Sequence, residues 1–213
     1  MPNDNYFSYL PTIPYNTFDG SHKYKVVTDI FKRVRATLEA RTDKTIYYNY
    51  RVQDGQKPEH VSYNYYDSPK YHWVILMMNE IRDPQWCWPL GSHALERFVV
   101  NKYGSAQTAA TQIKHYETKE LRSSTDDDTF SKNDIVLRSG MVVPSDFTFS
   151  YTGSVAGVSS GTQAFTSSQC VKTVYALDYE VSQNDNRSDI VLLRRNLLQE
   201  FVESFETLVT TRR

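Results

Sequence analysis

Three consecutive aspartates, Asp126-Asp127-Asp128, are the densest acidic run in the chain and its first candidate for holding a divalent cation. A calcium loop alternates its ligands, turns on a Gly at its sixth position and closes with a carboxylate at its twelfth. Counted from Asp126, those positions are Ser131 and Leu137, so the run reads as a solvated loop. The histidines, His22, His60, His72, His93 and His115, contain no HExxH pair, and no Ser or Cys sits in a nucleophile elbow. Glu59, Glu80 and Asp83 could act as a pair of carboxylates for glycoside hydrolysis, which needs two carboxyl groups about 5 to 10 Å apart; their flanking position reads instead as solvated surface. Gly153, Gly157 and Gly161 are followed by no phosphate-loop lysine. These patterns predict no catalytic residue, no metal site and no cofactor, and hence a protein that is not an enzyme.

Composition narrows the classes further. With 39% hydrophobic and 14% aromatic residues in 213, the chain can bury one or two modest cores. A formal charge of -1 gives no electrostatic footprint for nucleic acid or an anionic membrane. Cys87 and Cys170 lie far apart, which offers no disulfide framework and fits free thiols kept in a reducing cytoplasm. The longest apolar run, Trp73 to Met78, is too short to span a bilayer, and the start MPNDNYFSYL lacks a basic-then-apolar leader. The expectation is a protein made in a reducing cytoplasm, neither exported nor membrane-inserted.

The elements that must position any functional side chain follow from periodicity. Residues 1 to about 24, rich in Pro, Asn and Tyr, read as an extended arm, and Thr28 as the cap of a helix over Asp29 to Leu38 that buries Ile30, Phe31, Val34 and Leu38. Ile46 to Val52 reads as a strand, Asp54-Gly55 as a turn, and Pro58 as the opening of a helix through Tyr63, Tyr65 and Tyr66. Ser68-Pro69 caps a second helix whose buried face is Tyr71, Val74, Ile75 and Met78, and a short strand at Trp86 to Trp88 closes the unit. Ser92 and Ser105 open two further helices. Leu121 to Phe130 reads as a solvated loop. Beyond it, Ile135 to Val143, Phe147 to Thr152 and Cys170 to Ala176 read as strands, with Gly153 to Ser168 as a long mobile loop. A terminal helix is expected over Ser188 to Val209, with apolar stripes including Ile190, Leu193, Leu197, Phe201 and Phe205.

The strand-helix-helix-strand block resembles the LysM fold, with Gly55 after the first strand and Asn79 after the second helix. The run YDSPKYHWVILMMNEIRDPQWCWPL, with KYGS at 102–105 and HYE at 115–117, is similar to a narrower family, the LysM-like baseplate wedge protein of contractile-tailed, T4-like bacteriophages. YFSYLPTIPYN at 6–16, VTDIFKRV at 27–34 and Tyr179-Glu180 support the same resemblance. It covers roughly Tyr6 to Glu117 and Tyr179 to Val209, and the stretch between carries no family signature. The fold class expected is therefore α+β: a small βααβ module with an N-terminal arm, flanking helices, a β-rich insertion and a long C-terminal helix. The segments are 1–40, 41–104, 105–178 and 179–213.

The resemblance implies a structural component of the virion's tail baseplate that clamps wedge subunits and neighbouring wedges together around the central hub. Its partners would be other wedge proteins, with hub or tail-tube-proximal proteins as further candidates, and neither nucleic acid nor membrane. The expected contacts are Tyr6, Phe7 and Tyr9 in the arm, Tyr65, Tyr66 and Tyr71 in the module, and Leu197, Phe201 and Phe205 in the terminal helix. The rival implied by the LysM likeness is binding of peptidoglycan or N-acetylglucosamine between two turns, Asp54, Gly55, Gln56 and Lys57 on one side and Asn79, Glu80, Ile81 and Arg82 on the other. Trp73, Trp86 and Trp88 could stack on sugars or fill the core.

Overall fold

The computed structural model of the protein describes residues 6–16, 23–32, 34, 45–123, 131–155 and 158–211. In chain order, its first elements are β1 (Thr12–Asn16), β2 (Tyr24–Thr28), β3 (Tyr47–Arg51), α1 (Pro58–Tyr66), α2 (His72–Met78) and α3 (Pro84–Cys87). Then come α4 (Ser92–Tyr103), α5 (Ala106–Thr111), β4 (Ile113–Thr118), β5 (Leu121–Arg122), β6 (Ile135–Leu137), β7 (Val142–Val143), β8 (Phe149–Val155) and β9 (Val158–Phe165). The chain closes with α6 (Ser167–Cys170), β10 (Val171–Tyr175), α7 (Ala176–Ser188), β11 (Asp189–Leu193) and α8 (Leu198–Thr210). All the described strand pairings are antiparallel, which makes the class α+β. Two compact units result, Met1–Ser92 with Asn184–Arg213, and His93–Gln183. Residues 93–104, grouped by sequence with the module, thus fall in the second unit, and 184–213 in the first.

The first unit is organised around α2. Pro58 sits at the first position of α1, which ends at Asp67 in the left-handed conformation, φ 60°. The Ser68 hydroxyl accepts from the Lys70 N–H, and Pro69 opens a 3-10 turn leading into α2. The sequence of α2, HWVILMM, is apolar all round because both sides are covered. One side, Trp73, Val74 and Met78, packs with Leu10, Leu193, Val202, Phe205 and Val209. Ile75 on the other packs with Val52, Val61, Tyr66, Trp88, Ile190 and Leu192. Burying each large apolar side chain contributes roughly 1.5 to 3 kcal/mol before ordering costs.

The strand that closes the βααβ order is not at 86–88. Asp83 caps α3 by accepting from the Gln85 N–H, and Pro84 takes its first position, so Trp86 lies in a helical turn. The partner of β3 is β11, in a register running from Tyr47 opposite Leu193 to Arg51 opposite Asp189. Ile190 and Leu192 face one apolar cluster while Val191 and Leu193 face the other. A strand buried on both faces is continuously apolar, which is why the sequence IVLL also fits a helix. The terminal helix consequently starts at Leu198 rather than Ser188.

The arm also differs from an extended tail, since β1 and β2 form an antiparallel pair. Thr28 ends β2 instead of capping a helix, and the Asp29 carboxylate accepts from the Phe31 N–H. Of the helix expected at 29–38, residues 29–32 and 34 are described and none is helical, with Ile30 and Phe31 exposed instead of buried, while 33 and 35–38 lie outside the described residues. Lys32 nevertheless has a role, because its ammonium donates to the Val209 and Thr211 carbonyls at the end of α8. A cation there complements the exposed carbonyls of a helix C-terminus.

In the second unit, Val99, Ala109 and Ala176 form a small core with Leu95, Phe98 and Leu177 beside it. The Ser105 hydroxyl caps α5 by accepting from the Thr108 N–H, 3.0 Å. β4 is the central strand of a sheet ordered β10-β4-β7. The expected strand at 135–143 is two short strands, β6 paired with β5 and β7 paired with β4. Residues 153–168, expected as a mobile loop, mostly form the β8–β9 hairpin and α6. Phe149 stacks on Phe165, and the Tyr151 hydroxyl bonds to Gln163. The cross-strand pairs compensate for a Gly/Ser/Thr composition poor in strand formers.

Candidate functional site

The nine residues expected to contact partners occupy three different environments. Tyr6 and Tyr9 lie on Trp73 and Phe205 with ring centroids 5.6 to 6.0 Å apart. Phe205 is buried, 4.8 Å from Trp73, and Phe201 lies on the same tryptophan at 6.3 Å. Tyr66 is buried, and its hydroxyl donates to the Leu193 carbonyl at 2.8 Å; burial pushes that phenol well above its ordinary value. Tyr65, Tyr71 and Leu197 are half-buried, with Tyr65 stacked on Tyr48 and under the Arg195 guanidinium. Phe7 alone of the nine is largely in solvent, 63% exposed.

Arm, module and terminal helix are thus joined in one core. Trp73 Nε1 is buried there without a hydrogen-bond partner. Aromatic packing has prevailed over polar satisfaction at a cost on the order of 1 to 3 kcal/mol.

The two turns of the sugar-binding rival are engaged internally. The Asp54 carboxylate accepts from both the N–H and the hydroxyl of Ser92, which together hold its acid below the ordinary range. Gly55, at φ +71°, lies so close under Gly91 that a Cβ on Gly91 would meet its Cα at 3.1 Å. The Gln56 side chain accepts from the Tyr50 hydroxyl, and its carbonyl accepts from Trp88 Nε1 at 2.7 Å. The Lys57 N–H points to the His60 ring nitrogen at 3.4 Å.

Asn79 is a staple between α2 and β11. Its amide nitrogen donates to the Ile75 and Val191 carbonyls and its oxygen accepts from the Val191 N–H, each at 2.8 Å. Glu80 follows in the left-handed conformation, φ 54°. A cleft of about 600 Å³ opens beside this second turn, lined by Glu80, Ile81 and Arg82 with Phe7, Trp73 and Met77. None of 54–57 is among its described lining.

The second unit brings together signature residues that are far apart in sequence. Lys102 and Tyr103 both donate to the Glu180 carboxylate at 2.7 Å. Burial raises the Glu180 acid, but the bonds from Lys102 and Tyr103 outweigh it and hold the group below its ordinary value, while the same bond raises the lysine. His115 bonds to Glu117 at 2.7 Å and lies edge-on to Tyr179 at 5.5 Å. KYGS, HYE and Tyr179-Glu180 carry the family resemblance in the sequence, but their spacing there does not show that they touch. Their shared role is a polar lock joining α4, β4 and α7.

Among the described residues no group of three or more His, Cys, Asp or Glu is placed to hold a metal ion, and Asp126, Asp127 and Asp128 lie outside them. No described helix is long and apolar enough to cross a membrane.

The sequence model of the family described as Base plate wedge protein 53 matches residues 7–127, more than half of the chain. The chain belongs to that family. A curated relative, baseplate wedge protein gp53 of Enterobacteria phage T4, is 30% identical over 93 residues, 44% of this chain. The match spans 41% of that relative's length. In this wedge-family chain, the family match takes in Tyr9 and Trp73 of the aromatic core, both turns and the Lys102, Tyr103 and His115 parts of the lock, while Tyr6, Phe201, Phe205, Glu180 and the closing strand β11 lie outside it.

Proposed function

We propose that this wedge-family chain is a non-enzymatic structural component of the tail baseplate that clamps wedge subunits, and adjacent wedges, around the central hub during assembly. The observation that carries the reading is the first unit's division of labour. Its aromatic core fixes the arm, the βααβ order and the terminal helix as one body, while Phe7, Tyr63 and Trp86 stay in solvent at 61 to 64% exposure. Large aromatics offer wide amphipathic contact area at low conformational cost, and several modest contacts on one rigid body act together.

Of the nine candidates, Phe7 is a direct contact. Tyr65, Tyr71, Leu197 and Phe201 form half-buried margins, and Tyr6, Tyr9, Tyr66 and Phe205 act from within by holding the surface in shape. The LysM likeness of the block is read here as a scaffold. The sugar reading finds less support, since Asp54, Gln56 and Asn79 already use their polar groups inside the molecule.

The test is size-exclusion chromatography with light scattering on the chain alone and mixed with purified wedge subunits of the same phage, with an insoluble peptidoglycan pull-down in parallel. A stoichiometric wedge complex is expected, and Phe7→Ala should weaken it while leaving the melting temperature unchanged. Retention on peptidoglycan without a wedge complex would replace the clamp with a sugar-binding module.

A further inference from the structure

The β1–β2 hairpin has two edges of opposite character, and the hydrogen-bond phase shows which is open. The Asp29 N–H donates to the Pro11 carbonyl at 2.8 Å, and Thr12 lies opposite Thr28 in the adjoining register. Bonded and non-bonded pairs alternate in an antiparallel ladder. Ile13 and Tyr15 therefore exchange bonds with Val27 and Lys25, while Pro14 and Val26 face each other at a non-bonded position.

It follows that Thr12, Pro14 and Asn16 point their backbone groups out along the β1 edge, and Tyr24, Val26 and Thr28 point theirs out along the β2 edge. Proline has no N–H, so the β1 edge lacks its central donor and cannot template a further strand. The β2 edge keeps all three donors and acceptors, and no other described strand pairs with it.

The side chains of β2 share this lack of partners. None of its five residues is buried: Tyr24 is 69% and Val26 75% exposed, and just beyond the strand Phe31 is 84% exposed. A lone two-stranded ribbon is marginal in water, whereas a third strand with an apolar face stabilises it. Two exposed cations, Lys23 and Lys25, flank this edge, and neither pairs with a carboxylate among the described residues. Lysines on an edge strand repel a second copy of the same edge and favour a strand of opposite charge.

We propose that β2 accepts an extended strand from a different polypeptide of the baseplate, one with carboxylates set beside Lys23 and Lys25 and apolar side chains alongside Tyr24 and Val26. This is recognition by strand addition, in which backbone bonds supply affinity and the flanking side chains supply selectivity. The proposal rests on the clamp reading and specifies one of its contacts.

The test compares the full chain with two variants for binding to purified wedge subunits of the same phage. Val26→Pro mirrors Pro14: it removes the central outward donor of β2 without touching a β1–β2 bond. Lys23→Glu/Lys25→Glu keeps the backbone and reverses the charge. The expected result is an affinity loss of at least tenfold for each variant, with melting temperature and circular dichroism of the isolated chain unchanged. If the natural chain binds and both variants bind as tightly, the strand-addition proposal is wrong while the clamp stands. No wedge complex with the natural chain would remove the clamp reading itself, and the proposal with it. Self-association that Val26→Pro abolishes would make the occupant a second copy and overturn the choice of partner.

Discussion

β1–β2 and β3–β11 are both antiparallel pairs of five-residue strands, yet one carries a strand set in the core, β11, and the other meets solvent on every residue of β2. β11 buries Ile190, Leu192 and Leu193, and it pairs with a strand nearly 140 positions earlier, Asp189 opposite Arg51. Once made, that pairing fixes the first unit. β2 pairs with its neighbour in sequence and contributes no buried residue. The contrast teaches that secondary structure says little about role: a strand serves as a keystone when both of its faces are covered, as in β11, and offers an open edge when neither is, as in β2.

The sharpest way to break the comparison is to empty the covered ribbon. Leu192 is fully buried, so Leu192→Ala should destabilise the chain by about 2 to 5 kcal/mol in urea unfolding. A loss no larger than that of a surface substitution would mean that β11 is not a keystone. Next in size is the staple. Asn79→Ala leaves the Val191 N–H and carbonyl without their partner, while the Ile75 carbonyl keeps the residue-79 N–H, and should cost about 1 to 3 kcal/mol, with faster amide exchange at Val191.

A smaller effect should appear in the second unit, apart from both ribbons. The folded state lowers the Glu180 acid from its ordinary 4.5 and raises Lys102 from its ordinary 10.5. A depressed carboxylate stabilises the fold above its unfolded value and loses that contribution as pH falls through the folded one. A raised lysine does so below its unfolded value and loses the contribution as pH climbs through the folded one. Thermal melts should therefore show a plateau between these ranges with a decline on each side, and Glu180→Gln should flatten the acid limb. Smallest of all, Val26→Ala should shift the stability of the isolated chain by no more than about 0.5 kcal/mol.

Local chemistry made much of the fold legible. Pro58, Ser68-Pro69 and Ser105 stand where the caps and first turns demand them. What could not be read was long-range. A short apolar run, IVLL, fits helix and strand alike, and only its pairing with Tyr47–Arg51 decides between them. Asp83-Pro84 is a local helix-start signal, whereas the tryptophans at 86 and 88 fit a strand by type alone. The Gly, Ser and Thr of 153–168 resemble a loop in composition, and the hairpin there depends on cross-strand partners such as Phe149 with Phe165.

The site was legible in part for the same reason. Tyr6, Tyr66 and Phe205 stand out in the sequence as aromatics of three separate segments, and their packing against Trp73 or under Leu193 appears only once those segments meet. The exposed edge of β2 had a local signal, the β-branched YKVVT run, which the Pro- and Asn-rich surroundings obscured.

The most direct test of the central claim is hydrogen–deuterium exchange on the chain alone and within the wedge complex. The account predicts that 24–31 exchanges fast in the free chain and slows on assembly, while 47–51 and 189–193 are protected in both. Protection of 24–31 in the free chain, or no change there in a complex that forms, would contradict it.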